Sequence, residues 1–212
     1  YLPPLGCGKA QACLALTEPE AGTDVGATTT SALKIGSEYV IDGKKHFVTN
    51  GGFADNLLVL VTTAPGTGHR GLSMLLVEKG TPGFTIGRQE HKLGIRGSDT
   101  SELIFEKCRV PEENLLGEEG RGMNIALSIL NGGRIGIAAQ ALGIAQGAYD
   151  ASVQYAKERI QFDKPIAEFQ AIAFKLAEMA TELEAARLMT YKAAWLKDNG
   201  QDYIVASSMA KL

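Results

Sequence analysis

Three short stretches of this 212-residue chain combine residue types that could hold a polar, partly aromatic ligand. The first is Leu14-Ala15-Leu16-Thr17-Glu18-Pro19-Glu20-Ala21-Gly22-Thr23-Asp24, an apolar run that opens into a loop with Gly and two hydroxyl side chains. Backbone N–H groups freed in such a loop can form a concave anion site, and Thr17 and Thr23 add donors for a phosphate or a polar ring edge. A hydroxyl-stabilised turn with Glu18 in solvent fits the same residues. The second stretch is Lys45-His46-Phe47-Val48-Thr49-Asn50-Gly51-Gly52, where period-two alternation puts Phe47 and Thr49 on one face of a strand. A ring to stack on a flat ligand, with a hydroxyl two residues on to donate to its edge, suits an isoalloxazine; a core Phe beside a surface Thr fits equally. In the third, Arg159-Ile160-Gln161-Phe162-Asp163 with Gln170, Arg159 could pair with a pyrophosphate and Phe162 could lie on an adenine. A surface Arg and a Phe plugging a helix corner is the alternative.

Bulk properties narrow the ligand classes. With 45% apolar and 21% charged residues and a net charge of -3, the chain reads as soluble and globular, with no electrostatic footprint for nucleic acid. Cys7, Cys13 and Cys108 lack CxxC spacing and His46, His69 and His91 are scattered, so neither a disulfide framework nor a metal site is indicated. No uninterrupted apolar run approaches the roughly 20 residues of a membrane helix, and no leader pattern opens the chain, so no membrane role is expected. The first residue is Tyr1 and the helical pattern Ile204, Met209, Leu212 stops without a cap, which reads as a fragment.

The elements that must position these residues fall into two halves. From Ala12 to Val110, short β-branched runs separated by turn signals predict strands near Thr28 to Ile35, Tyr39 to Ile41, Lys44 to Val48, Leu57 to Thr62, Leu72 to Val77, Phe84 to Arg88 and Leu103 to Cys108. Asp42-Gly43 is expected to turn a two-residue hairpin. After Pro111, apolar residues from Met123 to Tyr149 recur at three- and four-residue steps, weakened at Gly132-Gly133, and predict a long helix. Asp163-Lys164-Pro165 breaks it, a second helix runs to Asn199-Gly200, and a third begins near Asp202. The expected fold is α+β: a β-barrel or sandwich over residues 1–117, then the first helices of an antiparallel bundle over 118–212.

Taken together, the motifs resemble the acyl-CoA dehydrogenase family. Ala15 to Ala27 is similar to that family's first signature, and Phe47-Val48-Thr49-Asn50-Gly51 to its flavin-contacting strand. The resemblance continues through Leu93 to Ser98, Phe105 to Pro111 and Gly132 to Gly136, and on to Arg159 and Gln170. It spans essentially the whole chain, and its helical half is closest to the short-chain, butyryl-type branch. The resemblance implies FAD and a CoA thioester as ligands. Leu14, Leu16, Thr17, Gly22 and Thr23 would hold flavin and pyrophosphate, with Thr23 shared with the pantetheine arm. Phe47, Val48 and Thr49 would pack on the ring and donate to it. Arg159, Phe162 and Gln170 would reach the FAD of a neighbouring subunit, making the parent a homo-oligomer, a dimer or tetramer. Asn131, Gly132, Gly133 and Arg134 would line the acyl-CoA channel. Asp163 stands where the family usually has Gly, and Asn131 where it often has an acidic residue; these departures bear on the FAD contact and on substrate hydrogen bonding.

The implied reaction is α,β-dehydrogenation of an acyl-CoA, with electrons leaving to an electron-transfer flavoprotein, in the cytoplasm of a bacterium or a mitochondrial matrix. The family's basic Glu lies either at the position of Gly133 or beyond Leu212, so no catalytic base is expected in these residues and the fragment is expected to be inactive. An acyl-CoA oxidase and a non-catalytic flavin-binding module of the same fold are the rival readings.

Overall fold

The computed structural model describes all residues, Tyr1–Leu212. They divide into two compact units, Tyr1–Leu127 and Ser128–Leu212. Together these form an α+β fold, as expected.

In the first unit a short helix α1 (Leu2–Gly6) precedes seven strands: β1 (Ala12–Ala15), β2 (Ser31–Ile35), β3 (Glu38–Thr49), β4 (Asn56–Thr62), β5 (Leu72–Glu78), β6 (Phe84–Gln89) and β7 (Thr100–Pro111). They make one mixed sheet in the order β1-β4-β2-β3-β7-β6, with β5 paired to the β4 strand. The β4 and β5 runs are almost wholly apolar, as strands covered on both faces must be. Leu57, Val59, Leu75 and Val77 enter one core with Ile41, Leu103 and Phe105, while Leu60, Leu72 and Met74 enter a second with Ala126. Each such aliphatic side chain contributes about 1.5–3 kcal/mol when fully buried.

The hairpin expected at Asp42-Gly43 does not form. β3 runs unbroken through it, and the register against β7 slips from Ile41↔Cys108 to Gly43↔Phe105. The true turn lies upstream at Gly36-Ser37, where Ile35 faces Glu38 and Gly36 has φ +64°. Space explains the glycine at 43: with φ +147°, a Cβ there would lie within 2.8 Å of Thr30 Oγ1, Cα and Cβ. The Asp42 carboxylate accepts the Lys107 N–H at 2.8 Å across the bulge. A second slip lies between Lys45 and Val48, and here Phe47 takes φ +54°, a left-handed conformation that bulky residues rarely adopt.

A 37-residue helix, α2 (Gly122–Glu158), starts in the first unit and continues in the second without a break at Gly132-Gly133. Contrary to expectation, α2 is long and apolar enough, by length and composition, to cross a membrane, with an 18-residue window of mean hydropathy 1.3. Counting unbroken apolar runs missed it because Gly, Ser and Asn are scattered among Ile, Leu and Ala. The core helix of a bundle satisfies the same measure. Two-residue strands β8 (Ile160–Gln161) and β9 (Lys164–Pro165) then pair around Phe162 and Asp163, which have φ +51° and +62°. Two consecutive left-handed residues are the geometry of a type I′ turn. Helices α3 (Gln170–Asp198) and α4 (Ile204–Lys211) complete the unit. Much of its apolar surface is open, including Ile137, Ile144, Phe174, Leu188, Tyr191 and Trp195.

Candidate functional site

The first two motifs, far apart in sequence, meet in the first unit. Parallel pairing of β1 with β4 ends at Ala15↔Val59, and the chain then leaves the sheet alongside the second slip of β3. There the His46 N–H donates to Thr17 O at 2.7 Å, and Lys45 Nζ donates to Leu16 O at 2.9 Å. Leu14 and Leu16 are half-buried against the second core cluster. Thr17 is half-buried, and neither its amide nor its hydroxyl is hydrogen-bonded within the chain. A Glu18–Ala21 turn closes the loop, with Glu18 N–H to Ala21 O at 2.9 Å, and Gly22 and Thr23 stand exposed beyond it.

On β3, Phe47 is 61% exposed, which rules out the core-Phe reading, and Thr49 is exposed as well. Val48 between them is buried in the core, so only its main chain is available to a ligand. The segment is braced on both sides. The His46 ring lies edge-on to Phe47, centroids 5.7 Å apart, and its Nε2 is 2.8 Å from Glu102 Oε1. That hydrogen bond holds the Glu102 carboxyl below its usual range. After Thr49, the buried Asp99 accepts the Gly52 N–H at 2.6 Å and the Gln89 side chain at 2.7 Å, while its carbonyl accepts the Asn50 N–H at 3.0 Å. Burial alone would raise the Asp99 carboxyl, but these donors and Ser101 outweigh it.

Sequence reasoning missed the centre of this arrangement. Glu18, one reading of which put it in solvent, is 3% exposed, and Lys45 is fully buried; they form an ion pair of 2.7 Å. The Glu18 carboxylate also accepts the Thr29 N–H and hydroxyl, both at 2.7 Å, and the Thr30 N–H at 3.0 Å. Burial would raise its pKa, yet the Lys45 ammonium and these hydrogen bonds hold it at about 2. Burial draws Lys45 below its usual range, with Glu18 opposing. The one available signal was strand periodicity, which puts Lys45 on the inward side with Ile41.

In the second unit, Asn131 and Arg134 are joined one helical turn apart, Arg134 Nη1 to Asn131 Oδ1 at 2.6 Å, and the same nitrogen reaches Ser208 Oγ at 3.3 Å. Gly132 and Gly133 leave that face open; a Cβ at Gly133 would meet nothing within 4 Å. Arg159, Phe162 and Gln170 gather at the helix corner. The Ile166 N–H donates to Arg159 O at 2.9 Å, and Gln170 is the exposed first residue of α3. Phe162 is 87% exposed, with Phe169 edge-on at 6.1 Å. The backbone at position 163 is left-handed, a conformation that Gly takes without strain and that Asp is among the residues to tolerate.

An α+β chain of this build, presenting an aromatic and hydroxyl patch on one unit and a polar helix corner on the other, has clear relatives. Residues 13–108 match the family model "Acyl-CoA dehydrogenase, middle domain" and residues 120–212 match "Acyl-CoA dehydrogenase, C-terminal domain". The chain belongs to the acyl-CoA dehydrogenase family. It is 53% identical over 211 residues to an acyl-CoA dehydrogenase of Bacillus subtilis, covering 100% of this chain and 56% of that protein. It is 46% identical over 211 residues to the caffeyl-CoA reductase–Etf complex subunit CarC of Acetobacterium woodii, again covering 100% of this chain and 56% of the relative. The structure of butyryl-CoA dehydrogenase from Megasphaera elsdenii superposes with a TM-score of 0.97 at 48% identity, over 99% of this chain and 55% of that one. The chain thus spans about half the length of the relatives it matches.

Proposed function

We propose that this chain is the FAD-binding and acyl-CoA-binding part of an enzyme that converts an acyl-CoA thioester to the trans-2-enoyl-CoA. One observation carries the reading: an exposed Phe47 on a strained bulge stands beside the Leu14–Thr23 loop, whose Thr17 donors have no partner in the chain. A surface ring held rigidly and flanked by free donors fits a flat heteroaromatic group with polar edges. FAD, when bound, supplies the two-electron redox chemistry. Phe47 would pack against it, Thr17 and Thr49 would donate to its edge, and Gly22 and Thr23 would let its phosphates approach the loop. Asn131 to Arg134 would line the acyl-CoA path. The open apolar faces of α2 and α3 fit a helical bundle in a homo-oligomer, dimer or tetramer, in which Arg159, Phe162 and Gln170 serve a neighbouring subunit's FAD.

The α-proton must be taken by a base, and no carboxylate stands among Asn131 to Arg134; Gly133 has no side chain. We assign the base to a residue outside this chain. CarC is named for a complex with an electron-transfer flavoprotein, which supports such a partner here, and its naming as a reductase makes the reverse reaction a second reading. We likewise propose that residues 1–117 carry the flavin and acyl-CoA site and residues 118–212 the start of the helical bundle, in a cytoplasmic or mitochondrial-matrix setting. The test is anaerobic titration of the full-length, FAD-loaded protein with acyl-CoA thioesters. Bleaching of the flavin band supports the dehydrogenase; no bleaching by any thioester refutes it. Rapid reoxidation in air would instead identify an oxidase.

A further inference from the structure

Lys45 is the one buried cation of the chain, and with Glu18 it forms its one fully buried ion pair. Taking two charges out of water costs several kcal/mol per ion, and well-packed apolar residues of the same volume are often as stabilising. The location of this pair is therefore informative. Glu18 directly follows Thr17, and Lys45 lies two residues before Phe47. Lys45 Nζ has two acceptors, Glu18 Oε1 at 2.7 Å and Leu16 O at 2.9 Å. The Leu16 carbonyl and the Thr17 N–H belong to one trans peptide plane and point in opposite directions. Drawing the carbonyl inward therefore aims the Thr17 amide outward. Thr29 and Thr30 lock the carboxylate from the two residues that lead into β2, so the loop, the entry to β2 and β3 share one anchor.

We propose that the Glu18–Lys45 pair is the positioning element of the cofactor patch, fixing the direction of the Thr17 amide and the spacing between Thr17 and the Phe47 ring. The inference rests on the FAD reading above. It is tested with the FAD-reconstituted protein and three variants: Glu18→Gln, Lys45→Met and the double Glu18→Gln/Lys45→Met. Thermal unfolding, FAD affinity by fluorescence quenching and the absorption spectrum of bound flavin are measured for each. The single variants leave one buried group unpaired and are expected to lose stability, whereas removing both charges restores much of it.

In the double variant, Leu16 O still has no donor, so FAD affinity is expected to stay lower by about tenfold, the effect of one charge-assisted hydrogen bond, with an altered flavin spectrum. A double variant that recovers stability together with unchanged FAD affinity and spectrum reduces the pair to a structural role and overturns the inference. Failure of the unchanged protein to retain FAD would overturn the underlying reading instead. Should the double variant not fold, Thr29→Ala decides: Thr29 is exposed, and loss of its hydroxyl to Glu18 is expected to weaken FAD about two- to fivefold. Unchanged affinity in that variant would count against the inference in the same way.

Discussion

Replacing Phe47 by Ala separates the two jobs a phenylalanine can do. The residue is 61% exposed, about 120 Å² of the roughly 200 Å² that a phenylalanine presents. Covering one face of it with a ligand removes about 60 Å² from water, about 1.5 kcal/mol at 25 cal/mol/Å². Aromatic stacking adds about 0.5–1.5 kcal/mol. Together these put the cost of Phe47→Ala at about 2–3 kcal/mol of binding, roughly 30- to 150-fold in FAD Kd. Stability should move by no more than about 0.5 kcal/mol, as for other exposed positions. Phe47→Gly should go further and gain about 1 kcal/mol of stability by relieving the left-handed backbone, while losing FAD to the same degree. The assays are urea unfolding of the apoprotein and fluorescence titration with FAD. An alanine variant that unfolds more than 1 kcal/mol early but binds FAD normally would show the ring to be packing rather than binding.

Gly43→Ala should destabilise the first unit by several kcal/mol, because the new methyl meets Thr30 backbone and side-chain atoms under 3 Å; a urea midpoint close to that of the unchanged protein would contradict the packing described. For Glu18 the folded pKa is depressed to about 2, so its stabilisation is present in full above the ordinary carboxylate range and is lost as pH falls toward 2. Roughly 3 kcal/mol should disappear between about pH 5 and pH 2, and urea titrations of Glu18→Gln should show a correspondingly flatter profile. Anaerobic mixing of the FAD-loaded 212-residue chain with butyryl-CoA should leave the flavin absorbance unchanged; bleaching would place the base within these residues.

Strand and helix placement was largely legible, because β4 and β5 carry continuous apolar runs and α2 and α3 repeat at three and four. Asp42-Gly43 misled because a type I′ turn and a bulge both need a residue free to take positive φ, and only contact with Thr30, remote in sequence, decides between them. The patch of Phe47, Thr49 and the Leu14–Thr23 loop could be read as separate motifs, but their meeting depends on β1 pairing with β4 across some forty residues. Glu18 and Asp99 were invisible as buried groups, and for Lys45 strand periodicity was the only hint, since charged residues default to solvent unless a partner is known. The left-handed Phe162 and Asp163 carry no glycine to announce them.

The strand order has a consequence for how the chain is made. β3 finds its main partner only in β7, with Glu38 opposite Pro111, and β1 must wait for the β4 strand. During synthesis β2 and β3 can pair at once as a hairpin, but β1 and the far edge of β3 emerge before their partners, and long-range pairing of this kind is slow compared with helix formation. Substitutions in β7 should therefore show up first as poor recovery of soluble protein at high expression temperature, even where the folded chain would tolerate them. A chaperone that shields exposed strands should rescue those variants more effectively than ones altered in α3, whose contacts are nearer in sequence.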